Sequence, residues 1–168
     1  TSASSAGSTP FGGSSVTSSV ALNVVGLKIG LNFKLAGKDS IQLSGLLPVP
    51  ENFVLSGQQV ILDVAGVVRM FTLDDKGKNT PKDTQKSFQL RAKKKKNVVL
   101  AQDAKFQAKL AKSDFATLLA DENLTNTTTS GTSATVPVML FFNQKKFAAD
   151  VSQVYTAKQG TSGKTKVP

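Results

Sequence analysis

The sequence predicts an all-β fold, an antiparallel β-sandwich of immunoglobulin-like or jelly-roll-like type with about eight strands, and three observations carry that prediction. Residues 27–35 alternate without a break. Leu27, Ile29, Leu31, Phe33 and Leu35 fall on one face, and Lys28, Gly30, Asn32 and Lys34 on the other. This is the period-2 pattern of a strand with one buried and one wet face. The alternation returns in seven later segments bounded by turn-forming residues. Only one stretch, near 113–121, has helical spacing. Antiparallel neighbours that are apolar on a single face pack as two sheets or close as a barrel. With no Cys and no Trp, the hallmarks of antibody domains are missing, and the prediction is the general sandwich class.

Taken in order, residues 1–19 are Ser, Thr, Gly and Ala with single Phe11, Pro10 and Val16 and no charge. That is the composition of a flexible linker or an assembly arm, whose anchors would be Phe11 and Val16. A single domain is expected over 20–158. Its first strand is placed at 20–35, with Gly26 or Gly30 as a bulge. The second, at 40–47, ends at Pro48-Val49-Pro50, because proline donates nothing to a ladder. Strands at 59–64 and 67–73 flank Ala65-Gly66, where a tight hairpin turn belongs. A polar loop follows to about 85.

Strand 86–92 alternates Phe88, Leu90 and Ala92, and the basic turn Lys93-Lys94-Lys95-Lys96 leads to a short edge strand at 98–100. Strand 103–111 puts Phe106, Ala108 and Leu110 inward. The helix near 113–121 takes Ser113 as N-cap, with Phe115, Leu118 and Leu119 on one face. After a Thr-rich loop, Val136, Val138, Leu140 and Phe142 alternate, Asn143-Gln144-Lys145 turns, and 146–157 closes the domain. Residues 159–168 read as a flexible tail. Each half runs strand, strand, apolar connector and hairpin, which suggests an internal 4+4 duplication.

Lys and Arg number 21 against 11 Asp and Glu, a net +10. Residues 1–85 hold 7 basic and 6 acidic groups, and residues 86–168 hold 14 and 5, so the excess (14 − 5 = +9) sits in the second half. A basic face suits acidic partners, whereas lysines flanking strands also serve solubility. The absence of His and Cys removes the commonest general base, the commonest zinc ligand and any disulfide framework. No apolar run approaches the roughly 20 residues of a membrane helix. The chain begins with Thr rather than Met, so a processed product or an excised fragment is expected.

No constellation points to catalysis, to a cofactor or to a resident metal. Asp74, Asp75 and Asp83 surround Lys76-Gly77-Lys78-Asn79, but Lys76 and Lys78 stand where calcium ligands belong. Asp121, Glu122, Asn123 and Asn126 form a second oxygen-rich cluster that a loop explains as well. Paired-carboxylate glycoside chemistry would want aromatic platforms, and Tyr155 is the one candidate, with a core Tyr as the plainer reading. Phe11-Gly12-Gly13 has no strand before it and is no phosphate loop. The candidate anion-binding set is Arg91, Lys93, Lys94, Lys95, Lys96, Lys105 and Lys109, with Lys112 nearby. Lysines hold phosphate or sulfate as point charges without reading bases. Asn123-Leu124-Thr125 and Asn126-Thr127-Thr128 fit the N-glycosylation pattern.

Over residues 27–158 the chain resembles β-rich modules of large secreted or surface proteins of planctomycetes and related environmental bacteria. The residues that carry the resemblance are Gly37-Lys38-Asp39-Ser40-Ile41, Leu43-Ser44-Gly45, Leu47-Pro48 and Pro50, then Asp63-Val64-Ala65-Gly66-Val67, Phe71-Thr72-Leu73-Asp74 and Tyr155-Thr156-Ala157-Lys158. The resemblance implies an extracellular or cell-surface setting and a modular parent, and supplies no catalytic residues. The expected function is a non-enzymatic structural, adhesion or assembly module. Its partners would be copies of itself or neighbouring domains, and the arm 1–19 or the first strand would complete a neighbour's sheet. The alternative is a module that binds acidic polymers, anionic polysaccharide before nucleic acid, through the lysine-rich face.

Overall fold

A computed structural model describes residues 19–168. The strands are β1 Val20–Ala21, β2 Asn23–Asn32, β3 Asp39–Val49, β4 Gln59–Val64, β5 Val67–Thr72, β6 Lys86–Arg91, β7 Lys94–Lys95, β8 Val98–Val99, β9 Gln102–Ser113, β10 Thr129–Phe142, β11 Lys145–Lys158 and β12 Ser162–Lys166. One short helix, α1 Ala116–Leu119, continues as a 3-10 turn over Ala120–Glu122. Ten strands form a single sheet in the order β5-β4-β10-β11-β12-β2-β3-β9-β6, with β1 also against β11, while β7 and β8 make a separate hairpin. All pairings are antiparallel except β1 with β11. The all-β prediction holds with more than eight strands, and the two leaves of the expected sandwich are one continuous sheet, nearly closed on itself.

Closure falls to the polar loop after β5. Leu73 pairs with Asn79 and Lys78 with Gln89, so residues 77–79 lie as a short seam between β5 and β6. Leu90 N–H donates to the Gly77 carbonyl at 2.8 Å and Asn79 N–H to the Phe88 carbonyl at 3.0 Å. The Asn79 side chain returns the bond, its Oδ1 accepting from Phe88 N–H at 3.0 Å. Gly77 sits at φ +76°, and a Cβ there would collide with the Leu90 carbonyl, so both conformation and space demand glycine. Beyond the seam, Lys86 Nζ donates to the Met70 carbonyl at 2.8 Å and lies 5.7 Å from the Phe71 ring centroid. Arg69 donates to the Val68 carbonyl at 2.8 Å. Cations thus occupy carbonyls of β5, a device that discourages further strand pairing.

Inside, alternate residues of all the long strands merge in one core. Phe71, Phe88 and Phe106 form a run of rings with centroids 5.4 and 5.7 Å apart. Burial of each such side chain stabilises the fold by roughly 1.5–3 kcal/mol. Near the end of the barrel the core turns polar. Asp39 is 2% exposed. Its Oδ1 accepts from Asn32 N–H at 2.7 Å and its Oδ2 from Phe115 N–H at 2.8 Å, which ties the β2–β3 turn to the start of α1. Tyr155 donates to the Thr125 carbonyl at 2.8 Å. Burial first, and then the Asp39 carboxylate, raise its pKa above the usual phenol value.

The two halves repeat in topology and register. Leu27 opposite Leu43 and Lys28 opposite Gln42 correspond to Leu90 opposite Phe106 and Arg91 opposite Lys105. Val64 opposite Val67 corresponds to Phe142 opposite Lys145. The turns match as well: Ala65 and Gly66 have φ of 51° and 94°, Asn143 and Gln144 52° and 59°, the left-handed pair of a two-residue hairpin. β3 pairs with β9 and β4 with β10, both antiparallel, as a two-fold axis crossing the sheet between them requires. The expected 4+4 arrangement is this pseudo-two-fold. Exchange of the halves places the seam 77–79 where β12 stands.

Several local expectations are corrected. The tail 159–168 contains β12, which lies between β11 and β2, so the domain extends past 158. The first strand breaks at Leu22, bulges between Val24 and Gly26 and ends at Asn32. The Asn32 Oδ1 accepts from Lys34 and Leu35 N–H at 3.0 and 2.9 Å, which turns the chain and leaves Leu35 exposed. β3 runs through Pro48 to Val49, because β2 pairs no further than Leu46 and the missing N–H meets no neighbour there. Ser113 ends β9 instead of capping the helix. The position before α1 is Phe115, with no side-chain cap, and the Asp39 carboxylate takes its N–H. The anchors Phe11 and Val16 lie outside the described residues.

Asp39→Ala is expected to lower stability by about 2–4 kcal/mol, since one buried and one part-buried N–H lose a charged acceptor. Gly77→Ala is expected to cost roughly 2–4 kcal/mol through the left-handed backbone and the broken seam. Urea denaturation followed by circular dichroism measures both. A loss below about 0.5 kcal/mol in either variant contradicts the role assigned to it.

Candidate basic groove on the outer sheet face

The strands that bury Leu27, Leu43, Phe88 and Ala108 present the alternate residues outward, and register sets these in rows. One row is Lys28, Gln42, Lys109 and Ser87, on β2, β3, β9 and β6. The next is Gly26, Ser44, Gln107 and Gln89, with Lys78 beside Gln89. Between the seam loop on one side and Lys166 on the other, this face holds an open groove of about 880 Å³. A second depression of about 490 Å³ continues it across β12, sharing Lys28, Gln42 and Lys166 and adding Lys164. The cations lining the pair are Lys28, Lys78, Lys82, Lys109, Lys164 and Lys166.

Among the described residues one carboxylate, Asp74, lines this groove, and it is already engaged. Its Oδ1 accepts from Lys76 N–H at 2.8 Å and Lys78 N–H at 2.9 Å. The Lys78 N–H bond is the largest influence on its pKa; burial opposes it, and the Lys76 bond with the charges of both lysines brings the balance below the usual carboxylate value. The floor is small at Gly26 and Ser44 and amide-rich at Gln42, Gln89 and Gln107. It therefore offers donors and acceptors beneath a rim of ammonium groups.

The predicted anion-binding residues separate. Lys109 lies in the groove. Arg91 and Lys105, directly opposed across β6 and β9, stand one row further along the same face, and Arg91 reaches the Gln107 Oε1 at 3.4 Å. Lys93, Lys94, Lys95 and Lys96 belong to the β7–β8 hairpin and its approach and line neither depression. There Lys94 Nζ donates to the Asp75 carbonyl at 2.8 Å, and Asn52 N–H to the Val99 carbonyl at 2.9 Å. Lys28, Lys78, Lys82, Lys164 and Lys166 are groove residues that the charge runs did not reveal. The signal available in sequence was the outward phase of Lys28 in its alternating strand.

Neither oxygen-rich loop gathers as a ligand cage. Among the described residues no three His, Cys, Asp or Glu side chains come together as a metal-binding group. Asp83 Oδ1 accepts from Gln85 N–H at 2.7 Å, and Asn126 Oδ1 from Gly160 N–H at 2.7 Å. Glu122 is the strained member: burial first, then Asp121 and Asp63, raise its pKa, and its Oε2 is buried without a partner. Tyr155, the possible sugar platform, is a core residue at 1% exposure. No helix among the described residues is long and apolar enough to cross a membrane.

A carboxyl whose folded pKa is raised contributes its stabilisation below the unfolded value and loses it as pH climbs through the folded one. Glu122→Gln is therefore expected to be more stable than the parent at neutral pH and equal to it below about pH 4. Thermal melts at the two pH values check the difference, and equal stability at neutral pH would refute it. No known protein family matches the chain, nor does any curated protein or solved structure.

Proposed function

We propose that this protein is a non-enzymatic β-barrel module that binds acidic polymers through the outer groove of β2, β3, β9 and β6. The observation that supports this reading is the six lysines lining the groove and its continuation against a single carboxylate among the described residues, Asp74, whose Oδ1 is held by the Lys76 and Lys78 N–H groups. A polyanion laid along such a lysine-lined groove is attracted by its summed field and releases its own counterions on binding. A setting in a secreted or surface-attached parent suits such a polymer and accords with the resemblance over 27–158.

The assembly reading has support of its own on the opposite side of the barrel. Phe141, Ile61 and Met70 are direct cross-strand neighbours on β10, β4 and β5, at 41%, 36% and 51% exposed. Val68, at 51%, adjoins them. An outward apolar row of this kind is unusual on an isolated module, and a second copy of the chain is the partner it would take. By contrast β2 lies inside the sheet between β12 and β3, so it is poorly placed to join a neighbour's sheet. Of the expected arm 1–19, residues 1–18 lie outside the described residues.

Replacing Lys28, Lys109 and Lys166 by Gln is expected to lower the salt concentration that elutes the chain from heparin resin. The slope of log affinity against log salt should fall by about 2–3. Replacing Lys93 to Lys96 by Ser is expected to change that slope less, and the reverse ranking would overturn the placement of the site. For assembly, Phe141→Lys with Met70→Lys is expected to shift an oligomer to monomer in sedimentation velocity, and a parent that is monomeric at high concentration would refute that reading.

A further inference from the structure

We propose, resting on the groove reading above, that the polymer is an anionic polysaccharide: a hydroxyl-rich chain bearing sulfate or carboxylate groups, and not a nucleic acid. Lys28 and Lys109 are separated by one strand, β3, which puts their stems about 10 Å apart. Between them stands Gln42, and in the neighbouring row, about 7 Å along the strands, Ser44, Gln107 and Gln89 carry no charge. Cation, amide and hydroxyl therefore alternate over the floor. Each amide both donates and accepts, which matches sugar hydroxyls lying between acidic substituents. Gly26 and Ser44 keep the floor low, so a ribbon-like chain can lie against the strands.

The features that nucleic acid needs are missing from the same surface. Binding of single strands couples a basic track to aromatic side chains on which bases stack. Phe88 is the one aromatic residue lining the groove among the described residues, and at 1% exposure its ring belongs to the core. Base edges are read most often by arginine. Arg91, the arginine of this face, stands outside the groove against Gln107. Duplex DNA admits a protruding helix or ribbon into its major groove, whereas here the protein surface is the recess.

The test uses the full chain with two probes, a heparin oligosaccharide and an oligo(dT) of similar charge, each titrated at two salt concentrations. Heparin is expected to bind at least tenfold more tightly. Gln42→Ala with Gln107→Ala, its fold verified by circular dichroism, is expected to weaken heparin about tenfold with no change in salt slope, because no charge is removed. Equal affinity for both probes, or no effect of the amide pair, would overturn the polysaccharide assignment and leave the acidic-polymer reading standing. Binding of neither probe would overturn both.

Discussion

Closing the sheet is the constraint on which the rest of this structure depends. A sheet of this length exposes two edges unless its ends meet, and here β5 and β6 do not pair along their length. Three residues, Gly77 to Asn79, span the gap at one end, and the Lys86 ammonium spans it further along. Asn79 holds Phe88 of β6 by backbone and side chain together, and the next residue, Thr80, donates its N–H to the Thr72 carbonyl of β5. Because Gly77 passes directly over the Leu90 carbonyl, β6 is held close beside β5, where Phe88 meets Phe71. Core packing and edge protection are therefore one arrangement.

Closure also divides the outside into two unlike surfaces centred on the two crossings of the pseudo-two-fold axis. Around β3 and β9 the outward residues include Gln42, Ser44, Lys105, Gln107 and Lys109. Around β4 and β10 they include Ile61, Met139 and Phe141. Exchange of the halves maps each surface onto itself, so the contrast between the two lies within each half, while the buried residues of both keep the same phase. One scaffold supports a charged surface and an apolar one on opposite sides without conflict in the core.

Much of the fold was legible because burial imposes period 2 on nearly every long strand, so Leu27, Ile41, Val60, Phe88, Phe106, Val136 and Phe147 could be phased from sequence. β12 was not, and the reason is physical. Its inward residues are Gly163 and Thr165. Gly163 must lack a side chain beneath the Tyr155 hydroxyl, and Thr165 Oγ1 accepts from Ile29 N–H at 3.0 Å. A strand whose core face is a glycine and a hydroxyl has the composition of a linker. The groove was illegible for a different reason, since its lysines come from separate segments that only register brings together. The contiguous run 93–96 drew attention by sequence proximity and occupies a single hairpin.

The hydrogen bond from Ile29 to Thr165 joins residues 136 positions apart, and β12 links β2 to β11 over a similar span. Most of the hairpins can form early from local segments, but the sheet remains an open ladder until these distant stretches find each other. Loop closure over so much chain is entropically costly, and proteins dominated by such contacts fold slowly. Before that encounter Phe141, Ile61 and Met70 stand beside unpaired strand edges, the combination that favours aggregation of folding intermediates. The lysines along the edges and turns then protect the molecule during its own assembly, before any ligand is met.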